Sequence, residues 1–244
     1  MVKVRKASGE LEDFSEHKVR TSLKRAGASD DVIDEIIDHI KPELYEGIPT
    51  EHIYNHIFDI LKNKRSHLVT RYNLKHAIME LGPSGYPFEK FVAGVLAEHG
   101  YTTSYNQIMQ GECVTHEIDV VAAKDGKKIM IECKFHNRPG TKSNIKTILY
   151  TYARFLDVGK KNDCGEAWLV TNTKVTSDVI DYSRCRGMGV LSWDYPEDMS
   201  LRYLVESSNL HPITALESLS NQTKQKLLNQ GVVFVKDIPK NTRP

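Results

Sequence analysis

The sequence predicts an α/β protein, α+β overall, with a helical N-terminal domain, a mixed-sheet domain after it and a small helical tail. Three observations predict this. Apolar residues recur at helical spacing between Glu16 and Leu81. Gly82-Pro83-Ser84-Gly85-Tyr86-Pro87 then gathers the residue types that stop helices and start turns. Beyond that break, strand-like and helical segments alternate. The expected domains are 1–82, 84–200 and 208–244. A chain of 244 residues, 40% hydrophobic and 27% charged, has the size and composition of one large domain or about two ordinary ones.

In the first domain, Val2 and Val4 alternate with Lys3 and Arg5 and Gly9 supplies a turn, which predicts a strand or hairpin ahead of a helix from Glu16 to Ala26. Gly27 is its expected C-cap. Ser29 or Asp30 caps a second helix through Ile33, Ile36, Ile37 and Ile40, ended by Pro42. Thr50 begins a third through Ile53, Ile57, Ile60 and Leu61, and a fourth runs from about Ser66 to Leu81. After the break, a helix is expected over 88–99, then strands at about 101–109, 114–123 and 127–136, a helix at 143–157, a strand at 166–172, a helix at 176–186 and a strand at 189–194. The tail is expected to hold a helix between Ser220 as N-cap and Gly231 as C-cap.

Lys plus Arg (33) nearly balance Asp plus Glu (32), so overall charge points to no polyanionic partner, and any basic surface must be local. The lack of a long apolar run or a signal-like start predicts a cytoplasmic protein with no membrane partner. Cys113, Cys133, Cys164 and Cys185 are widely spaced and are read as reduced thiols. Cys113 to His116 and Cys133 to His136 both have CxxH spacing, which could bind zinc. On an extended strand, however, Cys133 and His136 point to opposite faces, and packed thiols are the preferred reading.

The chemistry concentrates on one hairpin, whose register follows from its turn. Asp125-Gly126 is a two-residue turn signal in which both positions need φ > 0. Pairing then sets Asp119 opposite Glu132 and Glu117 opposite Lys134, with all four side chains on one side. Ile118, Val120, Ala122, Ile129, Ile131, Cys133 and Phe135 form the other, apolar side. Val121 and Met130 extend the apolar surface, so the sheet is covered on both faces and charged only at one end. Carboxylates directly opposite have β-carbons about 5 Å apart and repel. A divalent cation that prefers oxygen ligands, Mg²⁺ or Mn²⁺, removes that conflict. The plainer reading is a solvent-facing strand end where Glu117 pairs with Lys134.

Phe88-Glu89-Lys90-Phe91-Val92, His116-Glu117-Ile118-Asp119-Val120-Val121-Ala122 and Ile131-Glu132-Cys133-Lys134 together resemble the restriction-endonuclease-like PD-(D/E)XK superfamily, near its Mrr-type and Holliday-junction-resolvase-like branches. Trp168 to Asn172 and Gly189 to Ser192 resemble its closing strands. The resemblance spans about 84–196 and implies a nuclease acting on DNA. It implies Asp119 and Glu132 as metal ligands, Lys134 as the residue that orients or activates water, and Glu89 as an outer or second-metal carboxylate. Ile118 stands where a strict motif has proline, a common variation. A homodimer would suit cutting two strands.

The segment after the hairpin is basic, with Arg138, Lys142, Lys146, Arg154, Lys160 and Lys161 against Asp157. Lys142, Lys146 and Tyr150 are expected on one helical face and Ile145, Leu149 and Leu156 on another. Arg138, Lys142 and Lys146 then form either a nucleic-acid contact or a solvated helix face.

Val4 to Phe14, followed by His17-Lys18-Val19 and later by Arg71-Tyr72-Asn73-Leu74, resembles the ATP-cone, a nucleotide-sensing domain. That resemblance covers about residues 2–82. It implies ATP or dATP as a regulatory ligand, with Lys6 and Lys18 as phosphate contacts. Ala7-Ser8 replaces the Arg-Asp frequent before the glycine. No P-loop is present, so the resemblance does not imply ATP hydrolysis. The plainer reading is a helical interaction module. The tail resembles a helix-hairpin-helix element, or else packs against the core. Together these features predict a nucleotide-regulated, metal-dependent endonuclease, with a nucleotide-responsive DNA-binding regulator as the alternative.

Overall fold

The computed structural model describes residues 2–239, apart from the side chains of 66 and 67. Residue 1 and residues 240–244 of the expected first and last domains lie outside the described residues. Two compact units divide the chain, one ending at His76 and one beginning at Ala77.

In the first unit, β1 (Lys3–Arg5) pairs antiparallel with β2 (Leu11–Asp13), and α1 (Glu16–Arg25) follows. Ser15 Oγ accepts the Lys18 N–H at the start of α1. At its end Gly27, with φ +94°, lets its own N–H bond to Lys24 O and that of Ala28 to Leu23 O. These two bonds satisfy carbonyls that the last turn would otherwise leave open. Next come α2 (Asp30–Ile40), β3 (Ile48–Pro49), α3 (Thr50–Lys64) and α4 (Ser66–Tyr72), and α5 (Leu74–Met79) spans the boundary between the units. The short β3 runs parallel to β1 and has no alternation long enough to be read from sequence. Ile33, Ile36, Ile37 and Ile40 of α2 pack with Ile53, Ile57 and Leu61 of α3 and with Leu23 in one core.

The single helix expected from Ser66 to Leu81 is instead two. Asn73 sits at φ −80°, ψ −2° between them, and its side-chain oxygen accepts a 2.6 Å bond from the Tyr54 hydroxyl. A buried asparagine held by a tertiary partner competes with helix continuation, which periodicity alone does not register.

In the second unit, α6 (Tyr86–Glu98) precedes β4 (Thr102–Gln110), β5 (Thr115–Lys124) and β6 (Lys127–Lys134). After a two-residue β7 (Lys142–Ser143) come α7 (Ile145–Val158), β8 (Glu166–Thr171), β9 (Lys174–Val175), α8 (Ser177–Arg186) and β10 (Gly189–Leu191). The five-stranded sheet has the order β10-β8-β6-β5-β4, antiparallel from β4 to β6 and parallel from β6 to β10. β7 and β9 form a separate parallel pair. Asp125 and Gly126 have φ of +51° and +77°, as the turn requires, and the register runs from Lys124 opposite Lys127 to Val120 opposite Ile131.

The two faces of the sheet carry different helices. Met130 packs with Ile148 of α7, whereas Phe135, an odd number of positions along, meets Phe88 of α6. Ile118 joins the cluster that holds Val121 and Met130, although strict alternation would oppose it to Val121. This happens where β5 has lost its β6 partner. The inner face of α7 also differs from the expected one. Ile148, Thr151, Arg154 and Val158 are buried, while Leu149 and Leu156 are exposed.

After the sheet come α9 (Leu201–Ser208) and α10 (Asn221–Asn229). Ser220 caps α10 through Thr223 N–H, and Gly231, at φ +76°, closes it. Phe234 stacks on Phe91 at 5.4 Å, and a Cβ on Gly94 would lie 2.4 Å from the Phe234 ring. Lys90 Nζ donates to Gly231 O at 2.7 Å. The tail is thus seated on α6, and among the described residues no helix is long and apolar enough to cross a membrane.

Candidate active site

β5 and β6 diverge just beyond the last ladder pair, so Asp119 and Glu132 do not complete the expected pairing. Asp119 Oδ2 instead accepts the Cys133 N–H at 2.7 Å. From Glu132 to Lys134, β6 pairs with Leu169 to Thr171 of β8. A carboxylate thus takes the Cys133 N–H where the ladder with β5 has ended. Glu89 projects from the first turn of α6, near enough to Asp119, Glu117 and Glu132 for their charges to act on it.

Burial raises all three carboxyls above their ordinary range. For Glu89 the chief cause is desolvation, followed by repulsion from Asp119, Glu117 and Glu132, and together they lift it to about 7. Glu132 is also lifted to about 7 by desolvation and Asp119, against the opposing pull of Arg154 and Lys134. Desolvation likewise raises Asp119, offset to some extent by its Cys133 hydrogen bond and by Arg154. Lys134 is exposed at the same edge, opposite Thr171.

Arg154 belongs to the basic stretch in sequence, but α7 turns it inward. Its guanidinium binds Glu132 Oε2 and the carbonyl of Glu117, and it lies over the Tyr150 ring. Its Nε is buried without a partner. Helical spacing from Ile148 and Thr151 to Val158 passes through position 154, and that is the signal by which sequence could have found it. Asp157 is the other residue whose role sequence reasoning misses. It accepts the Cys113 and Val114 N–H groups and lies 2.7 Å from His116 Nε2, fixing the loop that leads into β5. Those bonds and His116 hold its carboxyl far below the ordinary range.

The remaining predicted residues are dispersed. Arg138 is exposed after β6, Lys142 is in β7 rather than on α7, and Lys146 is exposed in the first turn of α7. Lys142 therefore does not share a helical face with Lys146 and Tyr150, because Asn144 caps α7 after it. Of the two CxxH cysteines, Cys133 is packed as expected and Cys113 is exposed. His136 is 3.0 Å from Ser143 Oγ, and His116 is engaged by Asp157. In the first unit, Lys6 and Lys18 converge on Glu12, at 2.8 and 3.1 Å.

An oxygen-seeking divalent cation fits the carboxylate cluster. Asp119 and Glu132 are hard oxygen donors, largely withdrawn from water, and their mutual repulsion is only partly offset by Arg154.

Comparison with known proteins gives three matches along the chain. Residues 2–74 match the ATP cone domain family, 82–197 the restriction endonuclease family of Mrr catalytic type, and 211–243 the AF1548-like C-terminal family. An uncharacterized protein of Archaeoglobus fulgidus is 44% identical over 147 residues, which cover 60% of this chain and 83% of that protein. The crystal structure of AF1548, a protein of unknown function, is 44% identical with a TM-score of 0.57, covering 63% of this chain and 82% of that one. A repair endonuclease from Pyrococcus abyssi gives 12% identity and a TM-score of 0.35, covering 45% of this chain and 46% of that one.

Proposed function

The chain belongs to the AF1548-like family, with an ATP-cone domain ahead of an Mrr-type restriction endonuclease domain, and from that premise we propose that it is a metal-dependent endonuclease cutting DNA under nucleotide control. The observation that carries this reading is the gathering of Glu89, Asp119 and Glu132 where β5 and β6 diverge, with Lys134 at the same edge. A purely structural role gives no reason to crowd three carboxyls out of water, whereas phosphodiester hydrolysis uses such a cluster.

Asp119 and Glu132 would hold Mg²⁺ or Mn²⁺, which supplies a polarised phosphoryl oxygen and a water that ionises more readily. Asp119 is kept in place by the Cys133 N–H, which fixes its carboxylate relative to Glu132. Lys134 supplies positive charge to the phosphoryl oxygens as negative charge builds on them, and orients the attacking water. Glu89, raised to about 7, can take a proton from that water or hold it by hydrogen bond. Arg154 is a positioning residue that holds Glu132 and the Glu117 carbonyl in place. Arg138, Lys142 and Lys146 are exposed and free to meet the DNA backbone.

In the ATP-cone domain, Lys6 and Lys18 are the proposed contacts for the phosphates of ATP or dATP. An incoming phosphate there takes over the role that Glu12 plays toward both lysines.

The test is cleavage of labelled duplex, branched and single-stranded DNAs in Mg²⁺ or Mn²⁺, with and without ATP or dATP. Asp119→Ala and Lys134→Ala are expected to abolish cleavage while leaving DNA binding in place. An intact panel with the native chain would overturn the enzymatic reading, and cleavage indifferent to both nucleotides would overturn the regulatory one.

A further inference from the structure

The N-terminal unit holds a second set of ligand-type side chains, different in kind from the carboxylates of the sheet domain. His39 lies in the last turn of α2, Glu43 in the short 3-10 turn that follows, and His56 midway along α3. His56 Nδ1 is 2.6 Å from Glu43 Oε2. The rings of His39 and His56 meet edge to face, with centroids 5.3 Å apart. One nitrogen or oxygen from each of the three residues falls within 4.8 Å of the other two. His52, one turn before His56 on α3, lines an open groove with His39 and His56.

We infer that His39, Glu43 and His56 form a site for a divalent transition-metal ion of the zinc class, bridging α2 to α3. Two imidazoles and one carboxylate make a borderline donor set, which suits Zn²⁺, Co²⁺ or Ni²⁺ and is poor for Mg²⁺. Zinc bonds of about 2.0–2.2 Å in a tetrahedral arrangement put neighbouring ligand atoms roughly 3.4 Å apart. Side-chain rotation at this surface can close the remaining distance, because His39 and Glu43 are exposed and His56 half-buried. The backbones beneath are already set, since Ile36, Ile37 and Ile40 of α2 share a core with Ile53 and Ile57 of α3. Rigid support of this kind lowers the cost of ordering the ligands on binding. A surface ion pair accounts for Glu43 and His56 and an edge-to-face ring contact for His39 and His56, but neither alone accounts for ligand atoms of all three residues converging on one point. Three protein ligands would leave a fourth position for water.

The test is Zn²⁺ binding to the full chain by titration calorimetry in excess Mg²⁺, which saturates oxygen-only sites, together with the visible absorption of the Co²⁺ form. Expected is one Zn²⁺ whose affinity falls at least tenfold in His39→Ala, His56→Ala and Glu43→Gln and is unchanged in Cys113→Ser and Cys185→Ser. The Co²⁺ spectrum should lack thiolate charge-transfer bands, and Zn²⁺ should raise the melting temperature of the native chain but not of His39→Ala. His39→Gln, which keeps a polar side chain of similar reach at an exposed position, guards against a folding defect. Zn²⁺ binding that survives in all three ligand variants, or its absence in the native chain, would overturn the inference.

Discussion

Two charged clusters in this chain hold their charges in opposite ways. Around Glu12 the signs alternate at the surface, with Lys6 and Lys18 on one side and Glu10 and Glu12 on the other, so each charge has a partner. Around Asp119 the carboxylates of Glu89, Asp119 and Glu132 are drawn out of water with Arg154 as the inner counter-charge. The first arrangement costs little and can exchange its carboxylate for another anion. The second is destabilising on its own, and under the proposed function a bound cation would offset that cost.

The comparison breaks most sharply at Asp119. Asp119→Asn keeps an oxygen for the Cys133 N–H but removes a buried charge. It is expected to lower cleavage by about 10²-fold or more, the scale of losing a group that stabilises the transition state. The metal-free protein should be as stable as the native one or more so. A clear fall in its melting temperature would show that the charge supports the fold.

Arg154→Ala is the next largest effect. It leaves Glu132 buried beside Asp119 with no inner counter-charge and should cost about 3–5 kcal/mol in urea unfolding without metal. Added Mn²⁺ should restore some of that loss.

Titration sharpens the contrast further. Because Glu89 and Glu132 are raised to about 7 in the folded chain from ordinary values of 4.5, the folded state binds their protons more tightly than the unfolded state. The stability they contribute is therefore present below about 4.5 and is lost as pH rises to about 7. The melting temperature of metal-free protein should fall across that window, and Glu132→Gln should flatten the fall.

The smallest effect belongs to the surface cluster. Glu12→Gln frees Lys18, leaves Lys6 with Glu10 alone and should tighten ATP or dATP binding by roughly two- to fivefold, the scale of an exposed ion pair. Weaker binding would move the phosphate contacts elsewhere.

Much of the sheet domain was legible because its signals are local. Asp125-Gly126 dictates the turn, and the turn dictates which residues of β5 and β6 face each other. Ser220 and Gly231 marked the ends of α10 for the same reason. What escaped reading depends on partners far along the chain. Arg154 and Glu132 are 22 positions apart, and the basic stretch around the arginine masks the helical spacing that turns it inward. Asn73 interrupts a helix only because Tyr54, 19 positions earlier, claims its side chain. The opening of the hairpin beyond Val120 is a third case, with a side-chain oxygen taking the Cys133 N–H there.

The seating of Phe234 over Gly94 has a consequence for how the protein is made. Lys90 and Gly231, which flank this contact, are 141 positions apart, so α6 leaves the ribosome long before its cover exists. At about 5–20 residues per second that interval is roughly 7–30 s. Throughout it, the outer strip of the helix bearing Glu89 stays open to water and to chance apolar neighbours, and that helix is covered only when Phe234 arrives.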